Sequence, residues 1–176
     1  MVQTTIKRLI RDVPDFPKPG ILFKDVTPLL ADPNALDQVV DALAAPYLKN
    51  GKATVDRVLG IESRGFIFGT PVAQRLGVGF APIRKPGKLP WKTVTESYAL
   101  EYGEDRIELH LDAVEKGERV LIIDDLLATG GTLSAACRLV EKLGATVAAC
   151  AVVIELGFLD GRKRLGAHPL HALVCY

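Results

Sequence analysis

The sequence predicts an α/β fold whose mostly parallel sheet is covered by helices on both faces. Two observations carry this. Short apolar runs of strand length, clearest in Val120-Leu121-Ile122-Ile123, recur along the chain. Stretches with apolar residues at helical spacing alternate with them. That alternation implies a parallel sheet with buried strands. Ligands of such sheets bind at the carboxyl ends of the strands, so the chemistry is sought there.

Taken in order, Ile6, Leu9, Ile10 and Val13 recur at helix spacing and predict a first helix. It ends at Asp15-Phe16-Pro17-Lys18-Pro19-Gly20, whose prolines and glycine forbid regular structure. A second helix has Asp32 as its N-cap and Pro33 at its first position. Leu36, Val39, Val40, Leu43, Tyr47 and Leu48 form its apolar face, and Asn50-Gly51 closes it. Residues 58–61 read as a buried strand, 65–76 as a helix and 78–83 as another strand. Val120 to Ile123 is followed by a helix with Ala136, Leu139, Val140 and Leu143 on one face and Gly144 as its stop. Residues 146–154, rich in Val and Ala, form a further strand. Residues 84–109 break the alternation with Pro86, Gly87, Pro90 and Gly103. A long excursion of this kind is often a functional lid, here a hairpin with a mobile tip.

Length and composition narrow the classes. The 176 residues suit one domain, with 48% hydrophobic and 24% charged residues arguing for a globular chain rather than disorder. A formal net charge of +1 provides no general basic field for nucleic acid or an anionic membrane. Charged residues interrupt the N-terminal region, so no signal peptide is expected, and no apolar run is long enough to span a membrane. The chain reads as cytoplasmic. Cys137, Cys150 and Cys175 form no CxxC pair and read as three buried thiols in a reducing compartment. His110, His168 and His171 match no metal spacing and receive no role.

One stretch concentrates the chemistry: Val120-Leu121-Ile122-Ile123-Asp124-Asp125-Leu126-Leu127-Ala128-Thr129-Gly130-Gly131-Thr132-Leu133. A buried strand delivers two adjacent carboxylates to its carboxyl end. A loop of small residues, 128–132, then leads into a helix. Backbone N–H groups and the helix dipole at such a start attract an anion. Gly130 and Gly131 let a phosphate approach the backbone, and Thr129 and Thr132 add hydroxyl donors. A site that wants a phosphate beside carboxylates that want donors fits a ribose phosphate: phosphate on the loop, two vicinal hydroxyls on Asp124 and Asp125. A phosphoacceptor site of the response-regulator type would place its acidic pair after the first strand and would not need the glycine loop. A P-loop would need a lysine that this loop lacks.

The stretch resembles the phosphoribosyl pyrophosphate (PRPP) signature of type I phosphoribosyltransferases. The resemblance extends over nearly the full chain. Residues 16–25 (FPKPGILFKD), 60–66 (GIESRGF), 83–90 (IRKPGKLP) and 97–103 (SYALEYG) look like segments of adenine phosphoribosyltransferases. Trp91-Lys92-Thr93 departs from them in a region where members vary. The resemblance implies one domain, 1–176, with a Rossmann-like type I phosphoribosyltransferase core, an N-terminal hood of roughly residues 1–35 and a hairpin lid of roughly residues 84–109. It implies transfer of the phosphoribosyl group of PRPP to adenine, giving AMP and pyrophosphate, as purine salvage in a homodimer.

Site roles follow from the same resemblance. Asp124, Asp125, Ala128, Thr129, Gly130, Gly131 and Thr132 would hold the ribose and its 5′-phosphate. Glu62, Ser63, Arg64, Arg84, Lys85, Lys88 and Tyr102 would hold or close over pyrophosphate. Phe23 would stack on adenine, the Leu22 backbone would read its edge, and Arg64 would reach a ring nitrogen. Glu101, with Arg64, would be catalytic, Glu101 exchanging a proton on the imidazole side of the base. Mg²⁺ would arrive with the substrate, bound mainly through PRPP or pyrophosphate, with no dedicated protein ligand. Another purine base, or a non-catalytic PRPP-sensing regulator that binds nucleic acid, are the alternatives. The near-neutral charge and the full lid sequence weigh against the regulator.

Overall fold

The structure is a computed structural model describing residues 2–99 and 104–176. Helix α1 (Val2–Leu9) buries Ile6 and stops before Val13. Strand β1 (Arg11–Pro14) instead pairs antiparallel with β2 (Leu22–Asp25), Val13 opposite Phe23. The helical reading of Val13 is therefore wrong: pairing with a segment nine residues on outweighs local spacing, and Pro14 cannot continue a helix. The loop between the strands is pinned by the Gly20 N–H donating to Asp15 Oδ1 at 2.8 Å.

After the short helix α2 (Thr27–Ala31), Asp32 caps α3 (Pro33–Ala44), accepting from the N–H groups of Asn34 and Ala35 at 3.0 and 3.1 Å. The helix ends earlier than the sequence suggests. Pro46 lies in a 3-10 turn (Ala45–Tyr47), and Asn50-Gly51 is the tip of a small hairpin, β3 (Leu48–Lys49) with β4 (Lys52–Ala53). Both tip residues have positive φ, 52° and 74°, as a two-residue hairpin turn requires. Leu48 is accordingly exposed rather than on the helix's buried face.

Then follow β5 (Arg57–Ile61), α4 (Arg64–Leu76), β6 (Gly79–Ile83), the hairpin β7 (Thr93–Ala99) with β8 (Glu104–His110), β9 (Arg119–Leu127), α5 (Gly131–Lys142), β10 (Thr146–Glu155), α6 (Arg162–Leu165) and β11 (Leu170–Cys175). Five strands form one wholly parallel sheet in the order β11-β10-β9-β5-β6. Alternate residues of β9 face opposite layers. Leu121 and Ile123 pack with Val39, Leu43, Phe68 and Val72 of α3 and α4, while Val120 and Ile122 pack with Leu133, Ala136 and Val140 of α5. From β5 the chain crosses to β6 on one side and then to β9 on the other. The carboxyl ends of β5 and β9 therefore flank a topological switch point, where an α/β sheet opens a crevice.

Cys137 and Cys150 are buried with their sulfurs 3.5 Å apart, but Cys175, on the edge strand β11, is exposed, correcting the expectation of three buried thiols. His168 lies against α5, its Nδ1 2.8 Å from the Leu165 carbonyl and its Nε2 2.9 Å from Glu141. Burial opposes its charge, but Glu141 and the Leu165 carbonyl outweigh this and raise its pKa above the ordinary 6.5. A raised folded value means stability that is complete below about 6.5 and fades as pH rises through the folded value. His168→Gln should thus cost most stability in mildly acidic buffer, by under about 1 kcal/mol because the pair is partly exposed. Chemical denaturation at pH 5.5 and pH 9 checks this; an equal loss at both pH values would refute it.

Candidate active site

The crevice is built from the ends of β5 and β9. A cavity of about 230 Å³ there is lined by Glu62, Ser63 and Arg64 after β5, by Asp124, Asp125 and Thr132, and by Lys85 and Tyr98 from the hairpin side. Predicted residues of three separated segments thus meet in one place. Gly65 makes this approach possible: a Cβ there would lie 2.6 Å from the Ile123 carbonyl oxygen and 3.1 Å from Asp124 Oδ1.

Asp125 is buried and ion-paired with the Arg64 guanidinium. Asp124 is half-buried, accepts the Asp125 N–H at 2.9 Å and faces the cavity. Burial, and then the charge of Asp125, push the Asp124 carboxyl well above the ordinary carboxylate range. A carboxyl so placed gains from hydroxyl donors, which would stabilise its charged form. Arg64 is held charged in turn: burial opposes it, but Asp125 prevails.

The loop after β9 encloses a second concavity, about 90 Å³, lined by Asp124 and residues 126–133. Gly130 has φ 82° and stands at the N-cap of α5 without a side-chain cap, and no acidic side chain occupies the first turn. The first N–H groups of α5 therefore lack a side-chain acceptor, the arrangement that suits an anion. The loop rests directly on α6. A Cβ on Gly130 would fall 2.3 Å from the Gly161 carbonyl oxygen, and one on Gly161 would fall 2.2 Å from that of Ala128.

The turn at the end of β5 is tight, with a cis peptide between Glu62 and Ser63. Ser63 starts α4 without capping it. Glu62 does not point its carboxylate at an anion. It accepts the Lys85 N–H at 2.9 Å and Arg84 Nε at 3.2 Å. Burial works against the charge, yet these donors hold the Glu62 carboxyl below its ordinary range. Lys85 pairs with Asp105 and approaches the Tyr98 hydroxyl at 3.1 Å, and that hydroxyl donates to Asp105 at 2.8 Å. Lys88 is exposed. Two of the expected pyrophosphate cations, Arg84 and Lys85, are thus pre-positioned by carboxylates.

Leu22 and Phe23 stand on β2, which meets Arg64 through Phe23. The Phe23 ring lies 5.6 Å from the Arg64 guanidinium and packs edge-on against Phe16, with centroids 5.1 Å apart. Leu22 is opposite Pro14, which has no N–H to offer its carbonyl. Glu101 and Tyr102 lie outside the described residues. The sequence reading missed Tyr98 and Asp105 as parts of the site. They are partners in the β7–β8 register, and the signal was available only once the two strands were aligned. Among the described residues no group of three or more His, Cys, Asp or Glu could hold a metal ion, and no helix is long and apolar enough to cross a membrane.

Comparison with known proteins gives one answer. The phosphoribosyl transferase domain family matches residues 26–171. An adenine phosphoribosyltransferase of Nocardioides sp. is 63% identical over 167 residues, 94% of this chain and 90% of that one. The crystal structure of adenine phosphoribosyltransferase from Thermoanaerobacter pseudethanolicus has a TM-score of 0.93 at 50% identity, covering 99% of each chain. That of Saccharomyces cerevisiae, complexed with an imino-altritol bisphosphate and adenine, has a TM-score of 0.90 at 40% identity, covering 98% of each chain. With the carboxylate pair, the glycine loop and the type I fold in place, the chain belongs to the adenine phosphoribosyltransferase family.

Proposed function

We propose that this protein transfers the phosphoribosyl group of PRPP to adenine, releasing AMP and pyrophosphate. The observation that carries it is the junction of two cavities at Asp124 and Thr132: a carboxylate-lined crevice adjoining an uncapped helix start. One molecule bearing a ribose, a 5′-phosphate and a pyrophosphate fills both. The ribose hydroxyls donate to Asp124 and Asp125, and the 5′-phosphate takes the N–H groups and hydroxyls of residues 128–132. Binding a hydroxyl at Asp125 competes with its pairing to Arg64, which frees that guanidinium for the base and the leaving group.

Pyrophosphate departs toward the Ser63–Arg64 turn, Arg84, Lys85 and Lys88. Carboxylates beside the ribose favour the positive charge that develops on the ring. Phe23 stacks on adenine, and the Leu22 backbone reads its edge. Backbone groups complementary to adenine repel the reversed donor–acceptor pattern of hypoxanthine. Glu101 and Tyr102 close the site, Glu101 handling the proton of the imidazole ring. Mg²⁺ would be carried by the substrate, its ligands mainly phosphate and water oxygens, with Asp124 and Asp125 left to the ribose hydroxyls. Bound there, it would neutralise charge on the pyrophosphate.

The test is incubation of the protein with PRPP, Mg²⁺ and each of adenine, hypoxanthine, guanine and xanthine, with chromatographic detection of nucleotide. AMP from adenine is the expected product, and Asp124→Asn should lower kcat/KM for PRPP by about 10- to 100-fold through loss of a charged hydrogen-bond acceptor. No nucleotide from any base would overturn the proposal. Undiminished kcat/KM in the variant would remove Asp124 from ribose binding.

A further inference from the structure

We propose that Arg164, on α6, supplies the cation for the ribose 5′-phosphate, an inference that rests on the nucleotide reading above. The phosphate loop itself contains none: from Asp124 to Ser134 there is no lysine or arginine, while two aspartates stand at its start. A P-loop meets a similar demand with its own lysine. Here N–H groups and threonine hydroxyls alone would face a phosphomonoester of nearly two negative charges, beside two carboxylates.

Helix α6 is seated where it can compensate. The interlocked backbones of Gly130 and Gly161 press it against the loop, and a Cβ on Gly130 would lie 3.2 Å from the Arg164 Cβ. Arg162 anchors the helix from behind, its guanidinium donating to both Glu155 oxygens at 2.6 and 2.7 Å and to the Leu170 carbonyl at 3.2 Å. Leu165 is buried. Arg164 itself is exposed and lines a cavity of about 270 Å³ with Gly131 and Ser134 of the first turn of α5.

Its neighbours are occupied. Lys163 pairs with Asp160 at 2.6 Å. Arg138, in the same cavity, is spent on Glu96 at 2.8 Å, the Ser97 carbonyl at 3.0 Å and the Ser134 hydroxyl at 3.0 Å. Arg164 alone of these cations has no ion-pair or hydrogen-bond partner for its guanidinium among the described residues. An uncommitted planar fork beside an anion-seeking helix start matches a phosphate's oxygens.

The experiment compares wild type, Arg164→Met and Arg164→Lys in calorimetric titrations with AMP and, separately, with Mg²⁺–pyrophosphate. AMP carries the 5′-phosphate and pyrophosphate does not. The methionine variant keeps the stem beside Gly130 and loses only the charged head. AMP should bind roughly tenfold more weakly to Arg164→Met, the order expected for one exposed charge-assisted contact, with Arg164→Lys in between and pyrophosphate unchanged in both. Unchanged AMP affinity in Arg164→Met, or an equal loss for AMP and pyrophosphate, overturns the role of Arg164 while leaving the nucleotide reading intact. A wild-type protein that binds no AMP overturns both.

Discussion

Gly130→Val should abolish PRPP binding. Valine at φ 82° is strained, at a cost of order 1–3 kcal/mol. Its Cβ would also fall 2.3 Å from the Gly161 carbonyl oxygen, a contact that only backbone movement can relieve. The loop must then lift from α6 and lose the geometry in which its N–H groups converge. The sheet does not depend on this contact, so the variant should still fold. Calorimetry with PRPP and Mg²⁺, on protein whose circular dichroism spectrum matches wild type, measures the loss. Wild-type affinity in such a variant would exclude residues 128–132 as the phosphate site.

Glu101→Gln should act on chemistry rather than on binding. Attack by N9 of adenine on the ribose requires the purine to change its proton count, and an amide at position 101 keeps the shape of the carboxyl without exchanging that proton. A general acid–base group contributes about 10²–10⁴-fold, so kcat should fall by that factor while PRPP affinity stays near wild type. Strand β7, which precedes residues 100–103 in sequence, is tied to α5. Glu96 pairs with both Arg138 and Lys142 of α5, and burial, though it opposes the charge, is outweighed by these cations, which hold the Glu96 carboxyl below its ordinary range. Substitution at position 101 removes none of these ion pairs. Saturating turnover equal to wild type would remove Glu101 from the mechanism and leave the PRPP site standing.

What could be read from the sequence tracks how local each feature is. Strand β9, its loop and α5 are consecutive, and the transition from apolar run to carboxylates to glycines states the element order directly. The Asp32 cap and Gly144 stop are equally local; Gly144 does adopt a positive φ of 80°. Val13 was misread because its strand partner is nonlocal, and β11 was missed because Leu170-His171-Ala172 becomes a strand only against β10. Side-chain pairings were the least legible. Nothing near Lys85 in sequence points to Asp105, and nothing in the ESR turn shows that Glu62 turns toward Arg84 rather than toward a ligand. These depend on the register of a hairpin and on the crossing of two strands at the switch point.

The seating of the glycine loop on Gly161 also orders events during synthesis. The loop and its helix leave the ribosome well before the segment that backs them. Residues 157–176 must follow before α6 can be anchored through Glu155 and Leu170, and before β11 can close the sheet edge against α1, where Lys7 donates to the Cys175 carbonyl at 2.9 Å. A nascent chain halted after β10 would hold every residue of the glycine loop and still lack its floor. The floor of the glycine loop therefore forms only after residues 157–170 have been made, well after the loop itself.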